Sequence, residues 1–397
     1  MPITNLTLSD ATLAYAEDVT RALLGVDALY RAEGEAGGSD DGLVVVNMAP
    51  DHRPEPFADY AAARARVEEL DRRAAGLPEP DRRIYYGQLC GSTLALIRWR
   101  AEGLPFTEQL ERFLHVPAAP ASDAELDALR AEMRALLSSM GYDGDLAAQC
   151  AAWQTRVRVP PDEVAGVLRE LLDEAWTRTE ERLPLPAPRS DGMRVATVSG
   201  VPFNARCDYL ARTVELNIDP VLTRPALKHL AVHECYPGHY VQFKLRETWY
   251  REGTAPADGL LSVVNSASSC VFEGIADNGL RVIDWLDTDD DRLSDLVSRY
   301  NAGIGTGAAW RLHALGWDEA RVAAWLRVQA LVGGEGWAAN RMRFIAAPQR
   351  GALIWSYWWG EASVTPVWER VPPARRDEFL RFLYGRMHST QTVAGFD

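Results

Sequence analysis

Lysine is almost missing from this chain: among 42 basic residues only Lys228 and Lys244 are lysines, and the rest are arginine. We read that bias as a GC-rich coding preference rather than as function. Positive charge is outweighed as well, since 56 acidic residues leave a net charge of −14. Such a chain repels phosphate backbones, which disfavours sequence-independent binding of nucleic acid. No apolar run approaches the roughly 18 residues that span a bilayer, so no membrane partner is expected. The opening MPITNLTLSDATLAYAEDV has neither a basic stretch nor an apolar core, and does not read as a secretory signal. Cysteine is scarce. Cys90, Cys150, Cys207, Cys235 and Cys270 are odd in number and form no CxxC pair, which predicts reduced thiols and a cytoplasmic protein.

What is present is an ordinary globular composition, with 397 residues that are 47% hydrophobic and 25% charged. That length suggests two to three units and is ample for a large core. Residues 58–75 and 122–139 carry apolar residues at three- and four-residue spacing among Ala, Glu and Arg, which predicts helices. The second begins with Ser122 and Glu125 at capping-box spacing. A third predicted helix follows Pro160-Pro161-Asp162 and runs to about Leu183. The Pro-rich stretch 183–192 cannot continue it. We place a boundary, or at least a long connection, there, between an N-terminal helical region (1–190) and a catalytic zinc-binding region (191–397), with packing as one compact unit the alternative. Alternation in Thr213-Val214-Glu215-Leu216-Asn217-Ile218 predicts a small sheet or hairpin within 194–219. Helical patterns then return almost to the end. Eight of the 13 tryptophans fall between Trp310 and Trp368, and we read them chiefly as packing mass.

Histidine is rare too, yet three of the seven lie within eleven residues, from His229 through His233 to His239. A zinc hydrolase needs two imidazoles and a carboxylate placed to take a proton from water. The usual spelling, HExxH, puts the histidines one turn apart. Here His233-Glu234 is followed by His239 after six residues, with Pro237 and Gly238 between. On a regular helix the two imidazoles would diverge, so they converge only if the Pro-Gly step distorts the backbone. His229 and His233, spaced i, i+4, offer a second possible metal pair. His388, near the C-terminus, reads as a structural or surface histidine.

The stretch His233-Glu234-Cys235-Tyr236-Pro237-Gly238-His239-Tyr240-Val241-Gln242 resembles the HExxPGHxxQ signature of the DUF885 family, related to the gluzincin metallopeptidases. Phe272-Glu273-Gly274-Ile275-Ala276-Asp277 is similar to that family's EGWAxY block, with Ile in place of Trp. Ser356-Tyr357-Trp358-Trp359-Gly360, with Pro348-Gln349 upstream, is similar to its PGQAxxYxxG block, at longer spacing. The three blocks lie within roughly residues 200–365. The resemblance implies a mainly α, multi-helix fold of the thermolysin-like clan, with a small β-element next to the active site. It implies one Zn²⁺ held by His233, His239 and Glu273, with Glu234 as general base. It further implies that Arg212–Ile218, with Glu215 and Asn217, is an edge strand that binds an extended substrate. Asp277 follows Glu273 by one helical turn and would hold a ligand imidazole in its tautomer. Tyr357 is the candidate donor to a developing oxyanion. The expected reaction is hydrolysis of an amide bond in a peptide or peptide-like small molecule. Two other readings stay open: a zinc enzyme acting on a specialised metabolite, and a binding protein that kept the fold without catalysis.

Overall fold

Helix starts follow the caps that the sequence offers. In the computed structural model, which describes residues 6–33, 42–183, 192–347 and 349–396, Ser122 and Glu125 close a reciprocal capping box on the helix Asp123–Ser139. Thr288 and Asp291 do the same for the longest helix, Asp289–His313. The helix expected after Pro160-Pro161-Asp162 spans Val164–Glu180. The described residues are mainly helical, with two small sheets. Among the described residues no helix is long and apolar enough to cross a membrane.

Two compact units emerge, and they do not follow the division expected near residue 190. The first takes Met1–Ala118, Gln242–Gly274 and Ala362–Asp397; the second takes Ala119–Val241 and Ile275–Glu361. Most of the Pro-rich stretch, residues 184–191, lies outside the described residues. The reason for the different division is pairing between distant segments. Strand β1 (Val44–Asn47) pairs antiparallel with a strand more than two hundred residues later, Leu261–Val263. Local composition carries no sign of such a return.

In the first unit the core is aromatic. Tyr85, Tyr86 and Phe113 from the first segment are fully buried, as are Phe379, Phe382 and Tyr384 from the last. In the second unit, Leu126, Leu129, Met133 and Leu137 form one buried stripe on the helix Asp123–Ser139. Helix Asp289–His313 packs on that stripe, and Gly303 lets it approach: a Cβ there would sit 2.7 Å from Leu126. Of the clustered tryptophans, Trp337, Trp355, Trp358 and Trp368 are buried, in keeping with packing mass.

The expected small sheet is present in the second unit as three strands: β2 (Arg194–Val198), β3 (Ala205–Asp208) and β4 (Thr213–Asn217), in the order β2-β4-β3. Strand β4 pairs parallel with β2 and antiparallel with β3. The expectation of an edge strand at Arg212–Ile218 is therefore corrected. The β4 backbone is engaged on both sides and has no free edge for a substrate. The edges belong to β2 and β3.

Candidate metal centre and cleft

The helix Arg224–Glu234 begins at Thr223, whose hydroxyl accepts from the Ala226 amide, with Pro225 in the first turn. Lys228 fixes its outer side. The ammonium lies 2.8 Å from Asp291 and 4.4 Å from the Trp285 ring centre. On the other side His229 and His233 stand one turn apart, as their spacing requires. Glu234 closes the helix.

Beyond Glu234 the backbone leaves helical geometry, with Cys235 at φ −120° and ψ −77° and a cis Tyr236–Pro237 bond. Gly238 folds back onto the helix end, its amide donating to the Val232 carbonyl at 2.9 Å. A Cβ at Gly238 would stand 1.8 Å from the His233 carbonyl oxygen, so no other residue fits there. A new helix, His239–Arg251, starts directly after it. The break thus does what a regular helix could not. The His233 and His239 rings have centres 4.7 Å apart and planes crossed at 84°.

Two carboxylates one turn apart on the helix Ser269–Asp277 complete the group. Asp277 Oδ1 lies 2.8 Å from His233 Nδ1 and 3.5 Å from His229 Nε2. Burial works against its charge, but His233 and His229 hold the carboxyl well below the usual range. Glu273 comes one turn earlier. Ligand atoms of His233, His239 and Glu273 all lie within 4.8 Å of one another. Gln242, the last residue of the first motif, donates to the Phe272 carbonyl at 3.0 Å, beside Glu273. Cys235 is adjacent in sequence, yet burial pushes its thiol well up, so it stays protonated and is a poor ligand.

A second grouping, His229, His233 and Asp277, also lies within that distance. The two share His233 and make different demands on it. In the second, Nδ1 would have to leave its hydrogen bond with Asp277. In the first, Nδ1 can keep Asp277 and Nε2 would be left to serve as the ligand atom, the arrangement usual for metal-bound histidine.

His233 and Glu234 open onto a cleft of about 220 Å³ in the second unit, which Tyr357 and Asp277 also line. Glu234 is buried, 7% exposed, and makes no hydrogen bond or ion pair among the described residues. His239 and Glu273 are not lining residues. The opposite wall carries residues that sequence reasoning did not single out. Arg299 pairs with Glu361 at 2.8 Å, and Arg281 grips Asp295 at 3.0 and 2.5 Å. Burial pushes the Glu361 carboxyl up; Arg299 opposes this and Asp295 adds to it. Arg341 and Trp337 face the same space. In a chain this rich in arginine, nothing in the sequence marks Arg341 out.

Glu215 and Asn217, the expected substrate contacts, are not among the residues that line the cleft. Asn217 is fully buried and donates to the Phe203 carbonyl at 3.0 Å. Glu215 pairs with Arg206 across the strands at 2.7 Å. Both hold the sheet. The cleft is lined instead by Asn204 and Ala205, at the start of edge strand β3. Pro348 lies outside the described residues, whereas Tyr357 sits on the helix Arg350–Arg370. His388 is buried, with Nε2 against the Phe382 carbonyl at 2.8 Å, a structural place in the first unit.

No family model matches the chain, and no curated protein matches it. Among solved structures it is similar to a candidate lipoprotein of unknown function from Shewanella oneidensis. Identity is 14% over 84% of this chain and 74% of that one, with a TM-score of 0.49.

Proposed function

We propose that this protein is a zinc-dependent hydrolase that cleaves an amide bond in a peptide or peptide-like small molecule. The observation that carries the reading is the convergence of His233, His239 and Glu273 within 4.8 Å, next to Glu234 in an open cleft. Two imidazoles and a carboxylate are a donor set that suits Zn²⁺, with a fourth position left for water. When bound, the ion supplies Lewis-acid polarisation of the scissile carbonyl and lowers the pKa of water.

The chain's own residues do the rest. Asp277 accepts from His233 Nδ1 and so fixes the tautomer that presents Nε2. Glu234, with no partner of its own, takes a proton from the attacking water and passes it to the departing amine. The Tyr357 hydroxyl donates to the carbonyl oxygen as negative charge builds on it. The same proposal puts the chain in the cytoplasm, supported by five buried cysteines in no disulfide.

Elemental analysis after alanine substitution tests the ligand set. His233→Ala, His239→Ala and Glu273→Ala should each empty the site, while His229→Ala should leave one zinc per chain. If His229→Ala empties it and His239→Ala does not, the grouping with Asp277 holds the metal. A hydrolysis screen of peptides against small amides and esters then separates a peptidase from an enzyme of specialised metabolism.

A further inference from the structure

Three arginine side chains stand at the cleft in two different situations: Arg299 and Arg341 line it, and Arg281 reaches it only through the lining Asp295. Arg281 and Arg299 are matched by Asp295 and Glu361. Arg341 is matched by nothing: among the described residues it enters no ion pair and makes no hydrogen bond, and its Nε is buried without a partner. Its stem packs on Gly305, where a Cβ would lie 3.7 Å from Arg341 Cδ. Its guanidinium carbon lies 5.5 Å from the Trp337 ring centre and 5.7 Å from that of Phe344. The planar fork is thus held by aromatic rings and paired with no anion.

A partly buried cation gains by pairing with an anion, and arginine cannot shed its proton. Burial indeed penalises the Arg341 charge, opposed by the Tyr357 phenol. Of the other cleft carboxylates, Glu361 and Asp295 are committed to arginines and Asp277 to the histidines, while Glu234 enters no ion pair with Arg341 and is assigned above to the water. Guanidinium forks bind carboxylates in a bidentate way that an ammonium cannot copy.

We infer that Arg341 receives a carboxylate of the substrate, so that the cleft takes anionic peptides or amides. This rests on the reading that the cleft is where substrate binds. The carboxylate comes either from the free C-terminus of a short peptide or from an acidic side chain.

The test uses the full chain stripped of metal with EDTA, so that no cation captures the probe. Isothermal titration compares N-acetyl-Phe-Gly, its C-terminal amide, and N-acetyl-Phe-Glu amide. One or both carboxylate probes should bind about 10–100-fold more tightly than the neutral amide, the range of charge-assisted hydrogen bonds. The probe that gains identifies the source. In Arg341→Met, which keeps the apolar stem, that preference should vanish while binding of the neutral amide stays. In Arg341→Lys, which keeps charge without the fork, it should fall but persist. Equal binding of acid and amide by the unmodified chain, no binding of either acid, or a preference kept in Arg341→Met overturns the inference. Zinc content is measured separately on reloaded protein. A chain that holds no zinc but keeps the preference defeats the hydrolase reading alone, and one that holds zinc without the preference defeats only this one.

Discussion

Each unit buries a cluster of ionisable side chains, and the two clusters are built on opposite terms. In the first unit Asp81 Oδ2 accepts from Arg82 Nε at 2.9 Å and from Arg386 Nη1 at 3.2 Å. Arg82 also donates to the Met387 carbonyl at 2.9 Å, and the Tyr86 hydroxyl donates to Asp258 at 2.8 Å. Partners there come from the chain itself. In the second unit Glu234 and Arg341 have no such partner and border a cleft. Burial of charge is therefore no mark of function by itself. What separates the two clusters is ion pairing: the charges of Asp81, Arg82 and Arg386 answer one another, although Arg82 Nη2 and Asp258 Oδ2 keep no hydrogen-bond partner, whereas Glu234 and Arg341 face the cleft without an ion pair.

That contrast can be broken most sharply at Glu234. Glu234→Gln keeps size and should keep both fold and zinc, yet lose turnover by about 10²–10⁴-fold, because the amide cannot accept the proton. Near-normal kcat on an accepted substrate would remove Glu234 from the chemistry and with it the distinction drawn here. The converse holds in the first unit. Asp81→Ala leaves Arg82 and Arg386 buried without their carboxylate and should cost about 3–5 kcal/mol by urea denaturation. Zinc content should not move. A loss below about 0.5 kcal/mol would mean that the cluster is no structural element at all.

Smaller effects sharpen the picture. Asp277→Asn should leave the fold intact and weaken zinc by about 10–100-fold in a chelator competition, since the amide orients His233 less firmly. Unchanged affinity would reduce Asp277 to a neighbour of the site. The last effect concerns His388, which burial among Arg82 and Arg386 holds well below 6.5 despite Asp81. The folded chain keeps this imidazole neutral, while the unfolded chain protonates it below about pH 6.5. Stability is unaffected above that pH and should fall by up to about 1.4 kcal/mol per unit below it. His388→Gln should flatten that slope, as denaturation midpoints between pH 7 and about 5.5 would register.

Much of the helical frame was legible because caps are local. Ser122 with Glu125 marks a start that needs nothing from the rest of the chain. His233, Glu234 and His239 were legible as a group because rare residues crowd together, and the Pro-Gly step said where the helix would break. Strand order was not. Alternation in Thr213–Asn217 reports a strand, but the parallel neighbour β2 is supplied from across a loop, and that neighbour turned an expected edge into a centre. Arg341 was invisible for another reason. Its significance is the absence of a partner, and a partner's absence is a property of space rather than of spacing.

Val232, the residue before His233, the first of the proposed ligands, is hemmed in by two glycines from different directions. Gly238 lies against its carbonyl, and Gly279 against its methyl group, where a Cβ would meet Cγ1 at 2.3 Å. Neither glycine has an atom that could touch zinc, water or substrate. In a deep mutational scan scored on growth or turnover, both would nonetheless look as intolerant as the ligands themselves. Their intolerance would spread across all nineteen replacements, whereas a ligand position would accept the few residues that still donate to a metal. The width of the forbidden set, rather than its severity, would tell the masons of this site from its chemists.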